Sequence, residues 1–308
     1  MSKHLKIIKF LRKLLQNTPT FDIIKLDMIR GDRAPIPEHR RENMFIEVAA
    51  HQGNRKGFPP NTMPAYESAY DIGADMIECD MHMTKDGEIV MIHDATLDRT
   101  TDVSGAIRSL TLDEVRRADA GVKTGDEWRG TRIPTLRELC ELAVRRDDKM
   151  QFNFEFKVYM KNGEEWAKAC ADKIISIIDE YGLWERGFIN SFDGRLLRYI
   201  EEKYGKRFRL HGFYPFEVLG ETRPESLYCA CLWKRKNPDG TPSFDGVINP
   251  KEDFDALIAR GIHPWVGASV RTIEDMVSAV QLGARLVTSN DPEYMIAELE
   301  KAGLRVKE

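Results

Sequence analysis

Two short runs carry charge at a spacing that places it on one side of a strand. In Ile77-Glu78-Cys79-Asp80-Met81-His82, alternating strand faces point Glu78, Asp80 and His82 the same way. In Phe152-Asn153-Phe154-Glu155-Phe156-Lys157, three aromatics alternate with Asn153, Glu155 and Lys157, so a carboxylate lies beside an ammonium. Like charges so close are costly inside a protein unless a cation or another partner neutralises them. Brought together, Glu78, Asp80 and Glu155 form an oxygen-only cage, the donor set preferred by hard divalent cations, so Mg2+ or Ca2+ is expected rather than zinc. The plainer alternative is a salt-bridged polar layer with Lys157 as its counter-ion. Two histidines close neighbouring segments, His51 in Ala49-Ala50-His51-Gln52-Gly53 and His93 in Val90-Met91-Ile92-His93-Asp94. A lone histidine at such a place is usually structural, but two around an acidic cage make an acid and a base available. His82 is either a third member of that group or a packed polar side chain without a partner.

These residues need a scaffold that brings distant strands to one end. From residue 45 onward, short β-rich runs alternate with longer helical patterns, the signature of a parallel sheet flanked by helices. The predicted strands are 45–51, 75–82, 89–93, 151–157, 187–191, 208–213, 262–267 and 286–289. Eight strands close a TIM-type (β/α)8 barrel, whose catalytic groups sit at the C-terminal strand ends. Helical patterns are clearest over 166–181, 194–204, 253–260, 272–283 and 292–301. Two stretches break the alternation, 95–132 and 215–245; both are expected to be loop excursions, the first a small insertion after the third strand, beside the active site. Residues 1–44 are an N-terminal extension and 45–308 a single barrel domain.

Composition narrows the function. A formal net charge of -4 over 308 residues offers no basic surface for nucleic acid, so no nucleic-acid partner is expected. The five cysteines are dispersed and odd in number, which fits reduced thiols in a cytoplasmic protein. Cys229 and Cys231 are read as small apolar residues of a strand or loop. Along a helix, Ile7, Ile8, Phe10, Leu11, Leu14 and Leu15 share one arc and Lys6, Lys9, Arg12 and Lys13 lie opposite. This basic amphipathic segment, residues 3–16, either rests on an anionic membrane surface or packs its apolar face on the barrel bottom or a partner subunit. No run reaches the roughly 20 apolar residues of a spanning helix.

Several ordered motifs together resemble the glycerophosphodiester phosphodiesterase family: Ala50-His51-Gln52-Gly53, Pro60-Asn61-Thr62-Met63-Pro64-Ala65, Gly73-Ala74-Asp75-Met76-Ile77-Glu78-Cys79-Asp80, Thr84-Lys85-Asp86-Gly87 and His93-Asp94-Ala95-Thr96-Leu97-Asp98-Arg99-Thr100-Thr101. Ile133-Pro134-Thr135-Leu136, Asn153-Phe154-Glu155-Phe156-Lys157 and Thr288-Ser289-Asn290-Asp291-Pro292 continue the likeness more weakly, and it spans roughly residues 45–299. It implies that Glu78, Asp80 and Glu155 hold a divalent cation and that His51 and His93 share the acid-base work. Gln52 and Lys157 would meet the phosphate, and Trp265 resembles a pocket-lining tryptophan, against the plainer reading of a barrel-wall aromatic. The implied reaction cleaves a small glycerophosphodiester to sn-glycerol 3-phosphate and an alcohol. Three positions depart from the pattern: Gln52 stands where arginine is usual, Pro60 where glutamate is usual, and Ala268 near a usual asparagine. A neutral amide cannot replace a bidentate guanidinium, so altered phosphate binding is expected, with Arg55 and Lys56 as nearby sources of charge. The alternatives are an enzyme for sugar- or lysophospholipid-linked diesters, or a phosphate-binding relative that has lost turnover.

Overall fold

The computed structural model describes residues 45–146, 149–232, 249–268 and 270–305. Nine strands form its sheet: β1 Glu47–His51, β2 Met76–Met83, β3 Ile89–Met91, β4 Gln151–Phe156, β5 Gly187–Asn190, β6 Arg209–Tyr214, β7 Cys229–Leu232, β8 His263–Val266 and β9 Leu286–Ser289. Eight of these, all but β3, are parallel, and β1 pairs with both β2 and β9, so the sheet closes into a barrel. Its strands are buried on both faces, as parallel strands wrapped by helices must be. In β4 the three phenylalanines Phe152, Phe154 and Phe156 are fully buried on one face, leaving Asn153 and Glu155 on the other. Each buried phenyl ring contributes about 2–3 kcal/mol of transfer free energy.

Among the described residues the α-helices are α1 Met63–Asp71, α2 Leu112–Val115, α3 Leu136–Arg146, α4 Glu164–Glu180, α5 Gly194–Tyr204, α6 Lys251–Ile258, α7 Ile273–Gln281 and α8 Pro292–Lys301. The longest, α4, buries a stripe made of Ala167, Cys170, Ala171, Ile174, Ile175, Ile177 and Ile178, spaced as an amphipathic helix requires. Residues Ile46–Ala297 make one compact unit. Phe45 and residues 298–305 fall in a second, in which the Arg305 guanidinium lies 4.8 Å from the Phe45 ring centre.

The barrel has the expected number of strands, but one of them is not an expected one. The predicted strand at 89–93 is not a barrel stave: only Ile89–Met91 is extended, and it pairs antiparallel with the end of β2 as a hairpin, Met81 opposite Met91 and Met83 opposite Ile89. The missing stave is β7, Cys229–Leu232, which lies inside the stretch read as a loop excursion and runs parallel between β6 and β8. The insertion therefore follows the second barrel strand, and β3 is its first element. It carries a small core of its own, in which Val90, Ile92, Leu97, Ile107, Val115, Ala118, Ala120 and Ile133 are buried together. The amphipathic segment at 3–16 lies outside the described residues.

Candidate active site

Parallel strands in register deliver the acidic residues. Asp80 of β2 stands opposite Glu155 of β4, and Glu78 opposite Asn153. Glu78, Asp80 and Glu155 are all buried, and each offers an oxygen within 4.8 Å of the others. Lys157, just past β4 and also buried, ion-pairs with Asp80 Oδ1 at 3.1 Å and donates to Glu155 Oε1. One ammonium thus faces three carboxylates. Burial raises Glu78 well above the usual carboxylate range, and the charges of Asp80 and Glu155 raise it further. For Asp80 burial acts in the same direction, but the cationic groups around it, Lys157 first, outweigh that and hold it low. Burial is also the main cause of the raised pKa of Glu155. Glu78 Oε1 is buried without a hydrogen-bond donor, and Asp80 Oδ1 has the Lys157 ammonium as its counter-ion. An orphaned anionic oxygen in a pocket of three carboxylates and one ammonium fits a hard divalent cation.

The loop after β1 closes over these acids. Gln52 adopts φ 58° and Gly53 φ 76°, a left-handed pair that turns the chain sharply back. As a result the Gln52 backbone N–H donates to Glu78 Oε2 at 3.0 Å and its side-chain amide donates to Asp80 Oδ2 at 2.7 Å. Its amide oxygen accepts from the Arg55 guanidinium at 2.9 Å. Asn61, also at positive φ, donates to Asp80 Oδ2 at 2.7 Å and accepts from the Asp80 backbone and from Tyr66 Oη. Asp80 is therefore held on three sides by neutral donors and by Lys157.

The two histidines flank this pocket. His51 ends β1, with Nδ1 2.5 Å from Asn290 Oδ1 and Nε2 3.8 Å from Glu78 Oε2. An amide oxygen at Nδ1 selects the tautomer whose Nε2 is free of hydrogen. Burial pulls the pKa of His51 down to about 4, with the Asn290 bond opposing. His93 is exposed in the insertion just after β3, its Nδ1 2.6 Å from Asp94 Oδ1. Arg99 holds Asp94 through both oxygens, at 2.6 and 2.9 Å, and lowers it to about 2. His82 is not without a partner: it is buried beneath His93 and its Nε2 bonds the His93 carbonyl at 3.1 Å, which ties the insertion to β2.

Trp265 of β8 is fully buried in the barrel, its indole N–H donating to Thr288 Oγ1 at 2.8 Å and its face stacked 4.1 Å from His211. His211 had no context in the sequence, yet its Nδ1 lies 3.1 Å from Asn153 Oδ1, on the polar face that carries Glu155. Asn61, Tyr66 and Asn290 were likewise not singled out. Asn61 and Asn290 stand inside the quoted motifs, which was the available signal; Tyr66 carried none.

The sequence profile of the Glycerophosphoryl diester phosphodiesterase family matches residues 51–293. The chain is 32% identical over 261 residues to a glycerophosphodiester phosphodiesterase from Caldanaerobacter subterraneus, covering 83% of this chain and 98% of the relative. It is 34% identical over 238 residues to one from Bacillus altitudinis, covering 76% and 91%. In fold it is similar to a phosphodiesterase from Oleispira antarctica, solved in complex with its product sn-glycerol-3-phosphate. That match has a TM-score of 0.65 at 21% identity and covers 83% and 97% of the two chains.

Proposed function

The chain belongs to the glycerophosphoryl diester phosphodiesterase family, and from that premise we propose that its buried acidic cage and flanking histidines hydrolyse small glycerophosphodiesters to sn-glycerol 3-phosphate and an alcohol. It is a phosphoric diester hydrolase. The observation that carries the site assignment is the juxtaposition of Glu78, Asp80 and Glu155 with two imidazoles whose Nδ1 atoms are each held by an oxygen. Glu78, Asp80 and Glu155 would hold Mg2+ or Ca2+; what the cation supplies when bound is Lewis-acid polarisation of the phosphoryl oxygens.

The environments of the histidines divide their roles. His51 rests on a neutral amide and burial keeps it unprotonated, so its Nε2 is the base that takes a proton from water or from a neighbouring substrate hydroxyl. His93 has its Nδ1 held by the carboxylate of Asp94, itself fixed by Arg99, and is assigned as the acid that protonates the departing alkoxide. Lys157 offers an ammonium to the phosphoryl group from the floor of the site.

The test is phosphate-ester release from glycerophosphocholine and from an aryl phosphodiester, with added Mg2+ or Ca2+ and with chelator. His51→Ala is expected to lose about 10²- to 10⁴-fold on both substrates. His93→Ala is expected to lose as much on glycerophosphocholine but far less on the aryl ester, whose leaving group needs no proton. Equal losses by His93→Ala on both esters would remove it as the acid, and undiminished turnover in chelator would remove the cation.

A further inference from the structure

Around the site, three of four cations are already matched. Lys157 is engaged by Asp80 and Glu155, Arg99 by both oxygens of Asp94, and Lys56 by Asp291 at 3.3 Å on the surface. Arg55 is the exception. It is half-buried, and the one hydrogen bond of its guanidinium among the described residues goes to the neutral Gln52 amide. No carboxylate pairs with it there, although the fields of Glu78 and Asp80 reach it and that of Arg99 opposes it.

The loop holds the guanidinium at this place through its backbone and side-chain anchors. The left-handed turn at Gln52 and Gly53 carries residue 55 back over residue 52. Asn54 is buried, its backbone bonded to Ala65 O at 2.9 Å and its side chain to Ser68 Oγ at 3.0 Å. Gln52 is itself anchored on Asp80, so one amide group separates the guanidinium fork from a carboxylate of the cage. A half-buried guanidinium with most of its donors unused is costly unless an anion completes it. The charges agree: three carboxylates, a divalent cation and Lys157 cancel, so before any histidine is protonated Arg55 is left to balance the single negative charge of a phosphodiester.

We infer that Arg55 binds a non-bridging phosphoryl oxygen of the substrate, and that Gln52 is the residue that positions it. This rests on the hydrolytic reading above and extends it to a residue outside the acid, base and cage positions. The experiment compares wild type, Arg55→Ala and Arg55→Lys, each loaded with Mg2+ or Ca2+. Calorimetry measures binding of sn-glycerol 3-phosphate, inorganic phosphate and the cation; steady-state kinetics measures glycerophosphocholine turnover. Loss of a charge-assisted contact predicts about 10- to 100-fold weaker phosphate affinity and lower kcat/KM in Arg55→Ala. Arg55→Lys should recover part of this, since an ammonium supplies charge but not the fork, and cation affinity should stay unchanged in both. Wild-type phosphate affinity in Arg55→Ala would overturn the inference; so would a parallel loss of cation affinity, which would make Arg55 a support for Asp80. A wild type that binds phosphate through Arg55 yet cleaves no diester would sink the hydrolytic reading and leave this one standing. Normal wild-type turnover matched by Arg55→Ala would do the reverse.

Discussion

Glu78 illustrates how a residue that weakens the fold serves the site. Buried beside Asp80 and Glu155, with one oxygen lacking a donor, it holds its proton far above the usual carboxylate range. In the cation-free protein, the unfolded chain ionises this group near pH ~4.3 while the native state resists. The cost is absent below that pH and grows as pH rises toward the native pKa. Glu78→Gln is therefore expected to match wild type at pH 4 and exceed it by about 1–3 kcal/mol at pH 8, measured by urea unfolding in chelator. With Mg2+ or Ca2+ the order should invert, because the wild type gains stability from the ligand and the amide variant has lost an anionic oxygen. A Gln variant that is less stable than wild type in chelator at pH 8 would show that the carboxylate is satisfied without a cation.

The loop between β1 and α1 joins sequence, backbone and site. Gly53 has φ +76°, and a Cβ there would lie 2.7 Å from the backbone carbon and oxygen of Ala65 in α1. Neither atom can move without shifting the helix, so Gly53→Ala is expected to cost on the order of 2–4 kcal/mol in unfolding free energy. It should also weaken phosphate binding, because Gln52 and Arg55 are placed by the same turn; a variant that melts with the wild type would refute the account of the loop. What the sequence discloses about these elements follows from range. The acids of β2 and β4 were legible because a period of two is local and needs no partner. The hairpin strand β3 and the stave β7 were exchanged because both are short and apolar, and only pairing separates them: β3 meets one neighbour, β7 meets two. The Ala230-flanked cysteines of β7 read as loop or strand alike. Asn290, which orients His51 across 239 positions of sequence, and Tyr66, which braces Asn61, act through contacts that no local pattern contains. Arg55 could be noted as a nearby charge; its link to Asp80 through Gln52 depends on a turn that the sequence marks only by Gly53.

At the scale of the molecule, the barrel positions the site, and the charge pattern of residues 6–13 lies apart from it in the sequence. Among the described residues no helix is long and apolar enough to cross a membrane. The chain carries a net charge of -4, yet Lys6, Lys9, Arg12 and Lys13 are gathered within eight positions and interleaved with Ile7, Ile8, Phe10 and Leu11. We propose that this segment holds a cytoplasmic protein reversibly against an anionic bilayer, where its diesters would be released from lipid. Each basic side chain near such a surface contributes about 1 kcal/mol, so replacing all four by glutamine should weaken binding to anionic vesicles by roughly 10²- to 10³-fold. Co-sedimentation with anionic and with neutral vesicles measures this, and turnover of soluble glycerophosphocholine should be unchanged. Wild-type protein that ignores anionic vesicles, or a quadruple variant that binds them as well as wild type, would assign the apolar arc to protein packing instead. A variant that lost turnover of the soluble substrate as well would show that the segment supports the barrel itself.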